Sequence, residues 1–234
     1  MAASTTAPTG AASRVTPIDR TAEAAHRIAN ELGQLAALVG RQINATVRGP
    51  ESLSRQSVVD MLRLHQSRLL GIARLHHAIS RQPEQEHVDL AEMLADLFDE
   101  FETSGVFEQR LHLQWTIAAP CLVDAARASA ITLVFSEIAT NAMKYAHPTG
   151  LPVEMTVTAA PASNGSVVLS ISDDGVGLPE DFDEARDAGV GLKLVRSLIE
   201  SVGGRIATSS SALGLAFRIV LPGPGNAQHL RAAE

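Results

Sequence analysis

The stretch Ser136-Glu137-Ile138-Ala139-Thr140-Asn141-Ala142-Met143-Lys144-Tyr145-Ala146-His147-Pro148 decides how the rest of this chain is read. At about 100° per residue, Glu137, Asn141, Lys144 and Tyr145 share one narrow sector of a helix, and Phe135, Ile138, Ala139, Ala142 and Met143 fill the opposite side. One face is core and the other carries chemistry. A merely solvated face would favour several long charges. Here a carboxylate is followed four residues on by an amide, a spacing that lets two oxygens converge on a hard cation such as Mg²⁺.

Downstream, Ile171-Ser172-Asp173-Asp174-Gly175-Val176-Gly177-Leu178-Pro179 closes a strand-like run in acids and glycines. Gly189-Val190-Gly191-Leu192-Lys193-Leu194-Val195 follows, then a helix stopped by Gly203-Gly204. Each glycine pair alone reads as a turn. In the order Glu-x3-Asn, Asp-x-Gly-x-Gly, Gly-x-Gly, these segments resemble the N, G1 and G2 boxes of the GHKL ATP-binding superfamily of gyrase, MutL, heat-shock chaperones and histidine kinases.

The resemblance implies a Bergerat-type ATP-binding fold with ATP and Mg²⁺ as cofactors. It makes Asn141 an Mg²⁺ ligand, sends Lys144 to phosphate oxygens, sets Tyr145 beside the base or ribose, and gives Asp173 the adenine amino group. A carboxylate accepts that N–H bond and rejects the carbonyl of guanine. Gly175, Gly177, Gly189 and Gly191 let backbone N–H groups approach phosphates, and a helix beginning near Val190 presents its positive end to them. The acid matching Glu137 activates water in the hydrolysing members; in kinases it supports the metal or the incoming histidine. Glu180, Asp181, Asp183, Glu184 and Asp187 lie in a short acidic lid over 178–188, better read as a solvated loop than as a second metal site.

Composition sets the outer bounds. With 234 residues, 45% of them hydrophobic, the chain holds two modest domains, each with a core. The formal charge of −7 argues against a nucleic-acid surface. No apolar run is long enough to span a membrane. Cys121, the single cysteine, rules out an intrachain disulfide, favours a cytoplasmic setting and reads as a small buried side chain.

Residues 1–17 are expected to be a disordered tail, too poor in arginine for a transit peptide. From about Asp19 to Thr46 the pattern is helical, with Ile28, Leu32, Leu35 and Val39 spaced as a heptad seam. A second helix, from about Ser54 to Ser80, carries Val58, Leu62, Leu69, Ile72 and Ile79. The two form a helical hairpin, 18–82, whose seam a second copy would cover, making a homodimeric four-helix bundle. Gln82 to His87 is the linker. The second domain, 88–222, reads as a two-layer α/β sandwich. Its elements are a helix from Val88 to Ser104 with Asp89 as N-cap, a strand at Leu111 to Ile117, a short edge piece at Pro120 to Asp124, and the helix Ala125 to Ala146. A strand pair turns at Ser163-Asn164-Gly165, followed by a helix from Val190 to Val202 and a closing strand pair. Residues 223–234 are expected to be a flexible end.

His26 sits about 160° around its helix from Ile28, away from the seam. A lone exposed histidine is ordinarily just surface. However, His26-Arg27-Ile28-Ala29-Asn30-Glu31-Leu32 resembles the phosphoacceptor box His-Arg-Val-Lys-Asn-Asn-Leu of a histidine-kinase subfamily related to the HWE group. Arg68-Leu69-Leu70-Gly71-Ile72-Ala73-Arg74-Leu75-His76-His77 is similar to its Arg-Ile-x-Ala-x-Ala-x-x-His segment. The HWE group's own extra histidine is replaced by Ser136, so the resemblance is to the broader subfamily and covers about 20–221.

It implies that His26, with Asn30 and Glu137 as catalytic companions, takes phosphate from Mg-ATP and hands it to the receiver domain of a response regulator. Imidazole suits the task, being a neutral nucleophile at pH 7. Ala29 and Glu31 depart from the box and leave open which group orients the ring. With no evident sensor domain, the input is expected from a separate partner. The competing readings are a phosphotransfer relay with a vestigial ATP domain and an anti-sigma-type serine kinase.

Overall fold

The computed structural model describes residues 17–49, 53–81, 87–103, 110–118, 120–147, 149–183, 186 and 188–223. The expected tails at 1–16 and 224–234 and most of the linker, 82–86, lie outside the described residues, as do Glu184 and Asp187 of the acidic loop.

Two long helices open the chain, α1 (Pro17–Arg48) and α2 (Arg55–Arg81). Their apolar stripe divides in two. Leu35 and Leu38 are buried, whereas Ile28, Leu32 (51% exposed), Val39 and Ile43 face outward, as do Leu62 and Leu69 of α2. The expected seam is therefore corrected at Leu35. Glu31, Leu35 and Leu38 lie along one edge of the stripe, about 60° wide, and that edge faces inward. Ile28, Leu32 and Val39 lie along the other edge.

A two-residue strand β1 (Val88–Asp89), absent from the sequence reading, pairs antiparallel with β3 (Leu122–Val123). Asp89 then caps α3 (Leu90–Thr103), accepting from the Ala91 amide at 3.0 Å, and also accepts from the Cys121 amide at 3.0 Å. Cys121 is buried, its thiol donates to the Ala118 carbonyl at 2.8 Å, and burial together with Asp89 pushes its pKa up.

The remaining elements are β2 (Leu111–Ile117), α4 (Ala125–Tyr145), β4 (Val153–Pro161), β5 (Val167–Asp173), α5 (Val190–Ser201), β6 (Arg205–Ser211) and β7 (Gly214–Leu221). The five long strands form one mixed sheet in the order β2-β4-β5-β7-β6. β2 and β4 run parallel, with α4 in the crossover between them; every other pair is antiparallel. β4 alternates buried and exposed residues, as a strand covered on one face does. α4 and α5 supply that cover, and Phe135 of α4 meets Phe98 at 4.9 Å and Phe101 at 5.5 Å between ring centroids.

α4 is covered beyond the single core face that the sequence reading gave it, because residues 131–140 are all buried. α2 packs along α4, a contact that the sequence reading did not include. Gly71 makes this approach close: a Cβ there would stand 2.7 Å from Thr132 Cγ2. The small polar residues beneath it are satisfied within the helix, Thr132 donating to Ala128 O at 3.1 Å, Ser136 to Thr132 O at 2.9 Å and Thr140 to Ser136 O at 2.7 Å.

Candidate functional site

α4 begins where Asp124 accepts from the Arg127 amide at 2.9 Å, and it runs its last two turns along the wall of a cavity of about 760 Å³. That cavity gathers Glu137, Asn141, Lys144 and Tyr145 from α4, Asp173 from β5, Gly177 and Gly189 from the loops that follow, and Gly191 from the first turn of α5. Eight of the residues singled out from sequence thus meet in one place. Glu137 is buried, Asn141 half-buried, and Lys144 and Tyr145 are exposed at the mouth.

The carboxylate and amide do converge. A Cβ built on Gly191 would lie 3.3 Å from Glu137 Oε2, 3.3 Å from Asn141 Nδ2 and 3.4 Å from Asn141 Oδ1, so the carboxylate and the amide border one small space beside that glycine. Among the described residues no cluster of three or more His, Cys, Asp or Glu could hold a metal unaided. A cation here would need further oxygens from its substrate and water, which is how Mg²⁺ is ordinarily held at phosphates.

Asp173 ends β5 with Oδ1 accepting from the Gly175 amide at 3.0 Å and the Leu215 amide at 3.3 Å. Burial pushes its carboxyl above the ordinary range, and the two backbone bonds oppose that rise. Asp174 points elsewhere, accepting from the Glu154 amide at 2.9 Å and pairing with His147 at 3.0 Å.

The four glycines separate by role. Gly177 has φ +69 and sits against the backbone of Ser211. Gly175 is buried outside the cavity wall, where a Cβ would fall 2.5 Å from Ala146 Cα, and the Val176 amide beside it bonds Ala146 O at 2.9 Å. Its lack of a side chain therefore lets the loop lie on the end of α4. In the loop beyond, the Arg186 amide donates to Asp183 Oδ1 at 3.2 Å and its guanidinium to Asp181 O at 3.3 Å.

His26 and Asn30 stand apart from the cavity. Both are exposed on α1, with Asn30 Nδ2 3.2 Å from His26 Nδ1. Fifteen residues separate His26 from Arg41, which lines the cavity, or about 22 Å of helix. Glu31 turns away from His26: it is buried, pairs with His76 of α2 and accepts from the Ser129 hydroxyl of α4.

Sequence reasoning missed what the hairpin brings to the cavity. Leu38, Arg41 and Gln42 of α1 and Arg68 of α2 line it, and Arg68 makes a buried ion pair with Glu137. Burial pushes the Glu137 carboxyl upward, against the pull of Arg68, Lys144 and Arg41. Nothing in the spacing of residues so far apart announces the pair. The only signal was that Arg68 heads the second-helix box.

The fold is a two-layer α/β sandwich whose cavity is lined in part by the helical hairpin. A family model described as histidine kinase-, DNA gyrase B-, and HSP90-like ATPase matches residues 126–225, and one described as histidine kinase matches residues 23–104. The sensor histidine kinase PdtaS of Mycobacterium tuberculosis is 26% identical over 177 residues, 75% of this chain and 33% of that protein. The blue-light-activated histidine kinase 2 of Erythrobacter litoralis is 24% identical over 226 residues, 89% of this chain and 59% of that one. In fold, the solved histidine kinase domain of the Erythrobacter litoralis EL346 blue-light activated kinase overlays with a TM-score of 0.61 at 18% identity, covering 87% of this chain and 94% of that domain. The first part of the chain thus matches the histidine kinase family and the second the ATPase family, and the chain spans only part of the length of these two curated relatives. No described helix is long and apolar enough to cross a membrane.

Proposed function

We propose that this chain is an ATP-dependent protein histidine kinase that phosphorylates His26 from Mg-ATP and passes the phosphate to an aspartate of a response regulator. The observation that carries this reading is the cavity lined by Glu137, Asn141 and Asp173 together with Arg41 and Arg68 of the hairpin that bears the exposed His26. Asp173 accepts from the adenine amino group. Tyr145 flanks the base or ribose, Lys144 meets phosphate oxygens, and Gly177, Gly189 and Gly191 leave the backbone open to them. Asn141 and Glu137 would hold Mg²⁺, which supplies charge neutralisation at the transferring phosphoryl group.

Asn30 sets the tautomer of His26. Donating its amide to Nδ1 keeps the ring proton on Nε2; presenting its carbonyl puts the proton on Nδ1 and frees the Nε2 lone pair to attack phosphorus. Asn30→Ala is expected to slow phosphorylation without changing ATP binding.

The outward stripe of Ile28, Leu32, Val39 and Ile43, continued by Leu62 and Leu69, is the surface on which a second copy would close a four-helix bundle. A separate sensor protein would supply the input, and the setting would be cytoplasmic.

The test is a labelling experiment with γ-labelled ATP and Mg²⁺. The protein-bound phosphate should survive alkali and be lost in acid, because protonating a phosphoramidate nitrogen makes it a good leaving group. His26→Ala should abolish the label and keep ATP binding, and Asn141→Ala should abolish it by loss of metal positioning. Acid-stable label would mean a serine kinase. No label, with acceptance of phosphate at His26 from a phosphorylated receiver, would mean a relay module.

A further inference from the structure

Arg68 is the most buried cation of the site, 4% exposed, and its guanidinium is fixed from two sides. Nη2 donates to Glu137 Oε1, and Nη1 lies 3.3 Å from His65 Nδ1. Burial, Arg68 and Lys144 all press the His65 pKa down, so the imidazole is a neutral acceptor and adds no charge. Among the described residues the buried Nε of Arg68 has no partner, and neither has that of Arg41.

The charge is out of balance. Arg41, Arg68 and Lys144 surround the single carboxylate of Glu137 on one wall of the cavity, with Asp173 further along it. Guanidinium groups held out of water with donors unmet are unfavourable unless an anion completes them. A guanidinium fork is the group best matched to phosphate oxygens. Lys144 alone was expected to serve them from the protein side chains.

We infer that Arg68 and Arg41 form a phosphate subsite, carried by the helical hairpin rather than by the ATP-binding domain, that takes the terminal phosphates of the bound nucleoside triphosphate. The inference rests on the nucleotide reading of the cavity and adds to it where the phosphates are grasped. Glu137 is the resting counter-ion of Arg68, and an arriving phosphate shares or displaces it. Arg41 and Arg68 stand on α1 and α2, so a triphosphate would tie the hairpin to the ATP-binding domain more firmly than a nucleoside, which lacks the phosphates.

Calorimetric titration of the full chain with ATP, ADP and adenosine in Mg²⁺ buffer tests this, comparing wild type with Arg41→Ala and Arg68→Gln. Loss of a charged hydrogen bond corresponds to roughly a 10- to 100-fold weaker affinity. That loss is expected for ATP in both variants, is smaller for ADP, and is absent for adenosine. Equal losses for ATP and adenosine in Arg41→Ala, or none for ATP, would overturn the inference. Arg68→Gln leaves a buried carboxylate unpaired, so if this variant also loses adenosine the decision falls to Arg41→Ala, whose half-buried side chain is more easily spared. Wild-type protein that binds no nucleotide would overturn the nucleotide reading together with the subsite, whereas tight ATP binding unchanged in both variants would overturn the subsite alone.

Discussion

Asp173 is held where its charge is disfavoured, and that gives a prediction with two signs. A carboxyl raised by burial binds its proton more tightly folded than unfolded. Its ionisation therefore removes stability as pH climbs from the unfolded value, about 3.9, through the raised folded value, and the loss persists above it. Asp173→Asn keeps an oxygen for the Gly175 and Leu215 amides and has no proton to lose. It should raise the melting temperature at pH 7, make no such difference near pH 3, and weaken ATP by roughly 10- to 100-fold through loss of the charged acceptor. Unchanged ATP affinity would remove Asp173 from the adenine contact. At this scale the sequence was most legible where partners lie one helical turn apart, as Glu137 and Asn141 do. It was silent on the pairing of Arg68 with Glu137, because an ion pair between residues 69 apart leaves no periodicity to read. Gly175 shows a third case. The motif reading set it at the phosphates, whereas it lies outside the cavity wall, and the reason it must be glycine is a neighbouring helix end, which the sequence does not display.

Among the elements, α1 and α2 were plain from their apolar period, and α4 from its motif. What covered each was not. Small side chains such as Ala128, Ser129 and Thr132 look alike in sequence whether they face water or a closely packed helix, and Gly71 reads as a weak point in α2 rather than a point of contact. Gly71→Val is expected to push α2 off α4, since even a Cβ there meets Thr132 Cγ2 at 2.7 Å and Leu97 Cδ1 at 3.2 Å. Overpacking of this kind typically destabilises by about 1–3 kcal/mol, to be read as a lower urea midpoint. The outward stripe gives the complementary prediction. Wild type should scatter light as a particle near twice 24.7 kDa, and Leu32→Glu, placing a charge in the middle of the exposed seam, should scatter as a monomer. A wild-type monomer at tens of micromolar would show that the stripe has no second copy to cover it.

At the scale of the whole molecule, His26 and the cavity are separated along one helix, and two polar clasps, Glu31 with His76 and Ser129, and Arg68 with Glu137, hold the hairpin in that position. The arrangement is one in which a chain's own histidine is out of reach of its cavity. Cysteines at 71 and 132, replacing Gly71 and Thr132, would lock the hairpin in place when oxidised. The oxidised form should take no phosphate on His26 and the reduced form should recover it; label persisting in the oxidised form would mean that a second copy delivers the histidine. β2 sits at the sheet edge, and among the described residues its only partner is β4, which lies beyond all of α4. A parallel pair cannot close until its crossover is complete. During synthesis the ribosome therefore releases β2, with Trp115 46% exposed even in the finished sheet, well before anything can pair with it. Fragments ending before Pro161 should aggregate on expression, and those carried through Leu221 should stay in the supernatant. The same tryptophan, 5.9 Å from the Phe98 ring, provides the fluorescence by which the late closure of that edge is timed in refolding.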